Sequence, residues 1–485
     1  MADKETLLGM LRKVVPANII LSSDEDIKPY ECDGLSVYKQ RPLLVVMPHT
    51  LEQLKDILLT CSKLQIPVVA RGAGTGLSGG ALPLANGVLV SLARFNRILS
   101  VDPLRCTAHV QPGVRNLQIS QAAKPYGLYY APDPSSQIAC TIGGNIAENS
   151  GGVHCLKYGL TVHNIQSVTV MTMEGDMLKL GGAGLDSPGF DLLALMTGSE
   201  GLLGIIVDIT VKLLPLPKKK QVLLASFADV AKAADTVAAI IAAGIIPAGL
   251  EFMDKLAIKA AEAFAKVGYP LDAEAILICE LDGDIAEVER QTTAVNQIFK
   301  KSHAVSIRVA ENEKQAEAIW QGRKSAFPAV GAMAPDYYCM DGTIPRKQLA
   351  YVLRRISEMA EEAGLPVANV FHAGDGNLHP LILYDANKPG ELQRTEALGA
   401  GILELCVEVG GSITGEHGVG VEKIDQMCVQ FNALELQQFH AIKRAFDPDG
   451  LLNPGKAVPS LHRCAEFGAM HVHHGEMAFP ELERF

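Results

Sequence analysis

The chain has 485 residues, 48% hydrophobic and 20% charged, with a formal net charge of −11. That balance excludes a disordered chain, which needs low hydrophobicity and high net charge, and argues against nucleic acid as a partner, since neutralising phosphates takes a basic face. The 45 glycines, about 9% against a usual ~7%, cluster without a triplet period, which excludes collagen.

At ~150 residues per domain, the length predicts two to four domains. Ten cysteines stand singly with no C-x-x-C pair, the pattern of a reduced, intracellular protein without an iron–sulfur or structural zinc framework. The start, MADKETLLGMLRKVVP, lacks the apolar core and cleavage site of a signal peptide. The longest uncharged apolar run, 236–250, is short for a membrane span and contains Gly244 and Pro247. A soluble, cytoplasmic chain is expected, with membrane association only indirect.

In chain order, a helix is predicted over 4–14 and a short buried strand over 43–48. Thr50 with Gln53 three residues on reads as a capping box opening a helix over 51–64. Further strands are predicted over 66–71, 88–92, 106–113, 167–173 and 206–215. The run 216–220 breaks the composition, and a domain boundary is placed at 217. Beyond it, strands near 222–227, 247–253, 274–281 and 302–310 alternate with helices over 229–243, 254–267 and 287–300. Antiparallel strands with helices on one face predict an α+β cap domain. A helix over 434–446 leads into DPDGLLNPGK (447–456), and the last 26 residues show no clean period.

Gly74, Gly76 and Gly79 satisfy G-x-G-x-x-G after a strand. A Rossmann site requires that motif to open a helix, and here the chain runs into another strand. What survives is local: glycines let several backbone N–H groups converge on an anion, and Arg71, Thr75 and Ser78 can add side-chain donors. PDPSS (132–136), TIGGNIAENSGG (141–152) and TGSEGLLGII (197–206) repeat the theme. Three such loops suit a long cofactor whose diphosphate is held by backbone.

These three motifs, in this order over roughly 40–217, resemble the FAD-binding domain of the vanillyl-alcohol oxidase/p-cresol methylhydroxylase flavoprotein family. The resemblance implies that Arg71, Gly72, Ala73, Gly74, Thr75 and Ser78 hold the pyrophosphate. It also implies that Pro132, Asp133, Ser136, Thr141, Gly143, Gly144, Asn145, Gly201 and Ile206 line the rest of FAD. Thr75 and Leu77 stand where covalently flavinylated members carry histidine, so non-covalent FAD is expected, although His154 lies close to a flavin-facing loop.

VANVFHAGDGNLHPLILY (367–384) reads as two strands joined by a type I′ turn at Asp375-Gly376. His372 and His379 are equidistant from that turn and are expected to face each other, their Cβ atoms ~4.5–5.5 Å apart. Two imidazoles so placed suit one metal ion. GGSITGEHGVG (410–420) offers Glu416 as a carboxylate ligand. Two histidines and a carboxylate suit Zn²⁺ with an open position, or Fe²⁺ or Mn²⁺. A non-haem iron oxygenase triad has the same composition, but the flavin loops argue against it. His417, beside the ligand, reads as a general base. Near the single tryptophan, Trp320, Arg323 and Lys324 are placed on one helix face with it, and Arg323 is suited to bind a carboxylate.

W-x-x-R, H-x-G-D-G-N-L-H, G-E-H-G and D-P-D-G-L-L-N-P-G-K together resemble the FAD-linked oxidases of D-2-hydroxy acids, in particular the D-subunit branch of bacterial glycolate oxidases. The likeness extends through the tail and covers nearly all 485 residues. It implies His372, His379 and Glu416 as metal ligands, His417 as base, Arg323 as carboxylate anchor and Asn453 near the flavin. The domain reading is then 1–217 for FAD, 218–425 for the cap with the metal site, and 426–485 returning to the FAD domain. Members acting on 2-hydroxyglutarate-like acids carry a lysine before the residue that here is Asp341, and an asparagine two places after the second histidine. This chain has Met340 and Leu381, which favours a small monocarboxylate.

The implied activity is oxidation of glycolate, or D-lactate as the near rival. Arg323 holds the carboxylate, His417 takes the proton of the metal-bound hydroxyl, and the C2 hydrogen leaves as hydride to FAD. Companion flavin-related and iron–sulfur subunits are implied, with electrons passing to the quinone pool. The histidine-containing tail is a candidate docking segment for one of them. A non-catalytic flavin subunit should lack the histidine pair and G-E-H-G, and both are present.

Overall fold

The computed structural model describes residues 3–184 and 188–459. The candidate docking tail therefore lies outside the described residues. The chain folds as two compact units. One holds the residues up to 150, 160–215 and those from 417 onward; the other holds 151–159 and 216–416. The chain thus returns to the first unit at His417, where the sequence reading placed the return at 426.

In the first unit, one sheet has the order Ile20–Leu21, Leu44–Val46, Val88–Ser91, Val68–Arg71. Its last three strands are parallel. Parallel strands are covered on both faces, which explains their unbroken apolar sequences. The helix Leu51–Leu64 starts at Thr50, whose hydroxyl accepts the Gln53 N–H at 3.2 Å. The Gln53 side chain reaches back to the His49 N–H rather than to that of Thr50, so the capping box is offset by one residue. No helix separates Val68–Arg71 from Val88–Ser91, in keeping with the exclusion of a Rossmann unit.

A second sheet, antiparallel, has the order Ile98–Asp102, Thr107–Val110, Ile205–Lys212, Ile165–Met171, Met177–Gly181. Its core includes Ile142 and Ile146 from the short helix Ile142–Glu148. The C-terminal segment closes the first sheet: Leu452 bridges Val68 in parallel, and the Asn453 N–H donates to the Val68 carbonyl at 2.8 Å.

The second unit is α+β. Its sheet runs Ser306–Val309, Lys219–Phe227, Ala275–Gly283, Gly249–Asp254, Val367–His372, Asn377–Leu378, Gly342–Thr343, and the pairings are antiparallel. Asp336–Cys339 and Pro380–Tyr384 extend it from Val367–His372. Met253, Ile276, Ile278 and Val370 pack one face against Ala257 and Ile258 of the helix Lys255–Ala265 and Ile319 of the helix Glu313–Lys324.

The histidine hairpin differs from the symmetric one expected. His372 pairs with Asn377, and Val367 with Ile382, around a loop of residues 373–376. Gly376 has φ +83°, whereas Asp375 is not among the positive-φ residues, so the type I′ turn does not form. A third strand decides the register: Thr343 pairs with Asn377, and the Ile344 N–H donates to the Gly376 carbonyl at 3.0 Å. The slip is two residues, so parity is kept and both histidines stay on one face. His379 becomes the diagonal neighbour of His372, with ring centroids 5.2 Å apart and planes at 83°.

Eight cysteines from Cys32 to Cys406 are free thiols. Among the described residues, no helix is long and apolar enough to cross a membrane.

Candidate functional site

In the first unit the glycine loops lie against one another. A Cβ on Gly72 would lie 2.2 Å from Thr141 Oγ1, and one on Gly74, at φ +70°, 2.2 Å from the Arg71 guanidinium. Only glycine permits that approach. The first loop therefore packs directly on Thr141, which precedes the helix Ile142–Glu148. A Cβ on Gly143 would lie 2.6 Å from the Pro112 side chain, and its N–H donates to the Pro112 carbonyl at 2.9 Å. Gly144 lies beside Thr141, and Gly201 holds φ +74°.

Ser78 Oγ and Thr141 Oγ1 are buried without a hydrogen-bond partner among the described residues. Buried hydroxyls in native proteins are nearly always bonded. These two orphans, Ser78 on the expected pyrophosphate loop and Thr141 among the residues expected to line the rest of FAD, fit a ligand rich in acceptors, and a dinucleotide is one. Ala73 and Thr75 lie in the same turn, partly exposed. Pro132 is buried, its carbonyl accepting from Asn116 Nδ2 at 3.1 Å, with Asp133 and Ser136 half-buried behind it.

Three predicted contacts have work inside the fold. Arg71 does not extend a free guanidinium: Nη1 donates to the Cys32 carbonyl at 2.6 Å, and the group lies over the Tyr30 ring. Asn145 bonds to Asn116, Cys140 and Ser150, and so ties two loops together. Asn453 Nδ2 donates to the carbonyls of Gly80 and Glu200 at 3.0 and 2.7 Å. Ile206 is a buried strand residue paired with Val170.

Sequence reading missed the buried charges among these loops. The Glu200 carboxylate accepts the N–H groups of Val419 and Gly420, each at 2.7 Å. Lys456 Nζ donates to the Gly80 carbonyl at 3.0 Å and to Asn453 Oδ1 at 2.7 Å. Burial lowers the Lys456 pKa to about 7. Burial, with Glu200 alongside, raises Glu148 well above the carboxylate range. Their signals, TGSEG, AENSG and NPGK, were in view, but nothing local marks a charge as buried.

In the second unit, His372, His379 and Glu416 come together with ligand atoms within 4.8 Å of one another. His372 Nε2 lies 3.4 Å and His379 Nε2 3.2 Å from Glu416 Oε1. Ligand atoms at tetrahedral corners ~2.1 Å from a cation stand roughly 3.4 Å apart. The donor set therefore fits a divalent ion such as zinc. Burial opposes ionisation of Glu416, but hydrogen bonds and charge from the two histidines outweigh it and hold the carboxyl well below its ordinary range. The histidines move the other way. Burial disfavours their charged forms, yet Glu251 and Glu416 at His372, and Asp341 and Glu416 at His379, raise both above the usual value. Burial pushes Asp375 up to about 6.

Arg323 is buried, with Nε and Nη2 at 2.8 and 2.7 Å from Glu251 Oε2. Trp320 turns inward with it and donates Nε1–H to Glu280 at 2.6 Å. Lys324 is exposed. At about 100° per residue it stands ~100° from Arg323 but only ~40° from Trp320, so Lys324 lies at the solvent edge of the face whose buried side holds Arg323. His154 lies 3.2 Å from Glu280 within the second unit, whereas residues 71–78 and 141–145 belong to the first. His417 follows Glu416 in the chain and opens the segment that returns to the first unit.

Residues 42–181 match the family described as FAD binding domain, and 216–457 match FAD linked oxidases, C-terminal domain. The chain is 64% identical over 483 residues to the glycolate oxidase subunit GlcD of Escherichia coli, covering all of this chain and 97% of that one. It is 32% identical over 465 residues to a D-lactate dehydrogenase of Anaerostipes hadrus, covering 94% and 98%. A p-cresol methylhydroxylase structure with substrate bound superposes with a TM-score of 0.81 at 18% identity, covering 94% and 97%. The two family regions, with the orphaned hydroxyls on the glycine loops, establish the cofactor class as FAD. The chain belongs to the FAD-linked oxidases and is an FAD-dependent oxidoreductase with the p-cresol methylhydroxylase fold.

Proposed function

We propose that this chain oxidises a small D-2-hydroxy acid, glycolate before D-lactate, as the catalytic subunit of a multi-subunit glycolate oxidase. The observation that carries the reading is the buried His372–His379–Glu416 cluster, in a chain that matches a glycolate oxidase subunit along its whole length.

His372, His379 and Glu416 hold one divalent cation, Zn²⁺ first and Fe²⁺ or Mn²⁺ as alternatives. When bound, it supplies a positive charge that lowers the pKa of a coordinated hydroxyl. Bound FAD supplies the two-electron acceptor. Arg323, with Nε and Nη2 fixed on Glu251, offers its remaining Nη1 edge to the substrate carboxylate. His417 accepts the hydroxyl proton as general base. The lack of a lysine beside Asp341 and the presence of Leu381 favour a substrate with one carboxylate.

Electrons leave through companion flavin-related and iron–sulfur subunits, a reading supported by the word "subunit" in the relative's name. The chain is then cytoplasmic and peripheral to the inner membrane only through those partners. The D-lactate reading is favoured by the dehydrogenase relative, and kcat/KM for glycolate against D-lactate decides between them. Glycolate should bleach the flavin absorbance of the purified protein anaerobically. His417→Ala should retain FAD and lose ~10²–10⁴-fold in turnover. Chelation should abolish turnover and Zn²⁺ restore it. Full activity after the metal is stripped would remove the cation from the mechanism.

A further inference from the structure

Glu251 is a fully buried carboxylate in the middle of the second unit's sheet, and neither of its oxygens is idle. It sits on the strand Gly249–Asp254, directly across from His372 in the antiparallel pairing. Oε1 lies 2.7 Å from His372 Nδ1. Oε2 takes Arg323 Nε and Nη2 at 2.8 and 2.7 Å. One side chain thus joins a ligand of the candidate metal cluster to the candidate carboxylate anchor.

The geometry has a chemical consequence at His372. A carboxylate held by arginine can only accept, so the imidazole must place its proton on Nδ1. Nε2 then carries the lone pair, and Nε2 is the nitrogen aimed at Glu416, 3.4 Å away. The opposite tautomer would turn an N–H toward the ligand cluster. Arg323 completes the arrangement. Its positive charge compensates a carboxylate that would otherwise be buried unpaired, and its planar fork fixes which way that carboxylate faces.

We propose that Glu251 is a positioning residue that sets His372 as an Nε2 ligand and orients Arg323, so that cation binding and acid binding share one buried carboxylate. The inference rests on the metal reading above. Outer partners of ligating histidines typically account for 10–100-fold in metal affinity. Glu251→Gln keeps the size, but its amide has one acceptor where two are needed. Either His372 or Arg323 then meets an N–H.

The test uses full-length, FAD-loaded protein stripped of metal and titrated with Zn²⁺ against a chromophoric chelator, alongside Tm and flavin content. The expected result is one tight site in the wild type and 10–100-fold weaker binding in E251Q with FAD retained. E251Q should also raise KM for glycolate after zinc saturation, through Arg323. A purely structural role would lower Tm and leave zinc affinity of the folded protein unchanged, and that result overturns the inference. A wild type that binds no zinc overturns the metal reading instead. Should E251Q not fold, the double variant E251M/R323M removes the buried pair together. It should fold and show the same weakening, and wild-type affinity in it would again overturn the proposal.

Discussion

The Asp341 carboxylate accepts the backbone N–H of Glu416 at 3.1 Å, and so fixes the turn that presents this candidate ligand. The same side chain accepts the Gly415 N–H at 3.0 Å and the Thr414 hydroxyl at 2.6 Å. Gly415 is required there, because a Cβ would lie 2.3 Å from Asn377 Oδ1.

Asp341→Asn should therefore weaken Zn²⁺ binding by ~10–100-fold, the usual scale for a partner that orients a ligand. Flavin content should not change. Competition titration measures the first and absorbance the second. Wild-type affinity in this variant would show that Glu416 is positioned by other means.

Arg323 and Glu251 should be strongly coupled in stability. Arg323→Met leaves Glu251 Oε2 buried without the guanidinium that holds it, at a cost of up to about 3–5 kcal/mol. Replacing both by methionine removes the orphan charge, and most of the loss should be recovered, because an apolar pair of similar volume is tolerated at such sites. Urea unfolding of the two single variants and the double gives the coupling energy. Additive losses would contradict the pairing.

Gly74→Ala should reduce the flavin bound per chain. The residue holds φ +70° and its Cβ would strike the Arg71 guanidinium, so the loop must shift. Gly364→Ala is the control, since it too has positive φ, +65°, but has nothing within 4 Å of the added carbon. It should cost ~1–2 kcal/mol from the left-handed backbone alone and leave flavin content intact. Equal flavin in both variants would separate the first loop from the cofactor.

Glu280 should make stability fall in acid. Burial alone would raise its pKa, but the hydrogen bond with His154 and the charge of Lys220 outweigh that and hold it down at about 2, from 4.5. A carboxylate depressed in the folded state contributes stability above its unfolded pKa and loses it as pH falls through the folded value. The Tm difference between wild type and Glu280→Gln should hold steady above pH ~5 and close between pH ~4.5 and ~2. A difference that does not change over that range would show that the carboxylate is not ionised in the native protein.

Much of this was legible in the sequence because it depends on near neighbours. Apolar runs and turn residues mark strands wherever they pack. Glycines at 72, 74 and 143 mark close approach. His372 and His379 share a face because side-chain parity in a strand alternates regardless of partner. The turn between them departs from the symmetric expectation for the opposite reason: the Gly342–Thr343 strand selects its register, and nothing in 367–384 records that strand.

The rest needed the tertiary structure. Glu251 is 121 residues from His372 and 72 from Arg323, and its segment, PAGLEFM, carries no motif. Asp341 reaches Glu416 across 75 residues. A carboxylate's partner is whichever donor the fold brings within 3 Å, and chain spacing is silent about that. The sequence by itself determined the family, the candidate cofactor loops and the residue types able to bind a cation. Tertiary packing decided which histidine nitrogen faces the carboxylate ligand, which charge compensates Arg323, and that Lys324 points away. Those choices rest on long-range burial, where one unpaired charge costs more than any local preference can return.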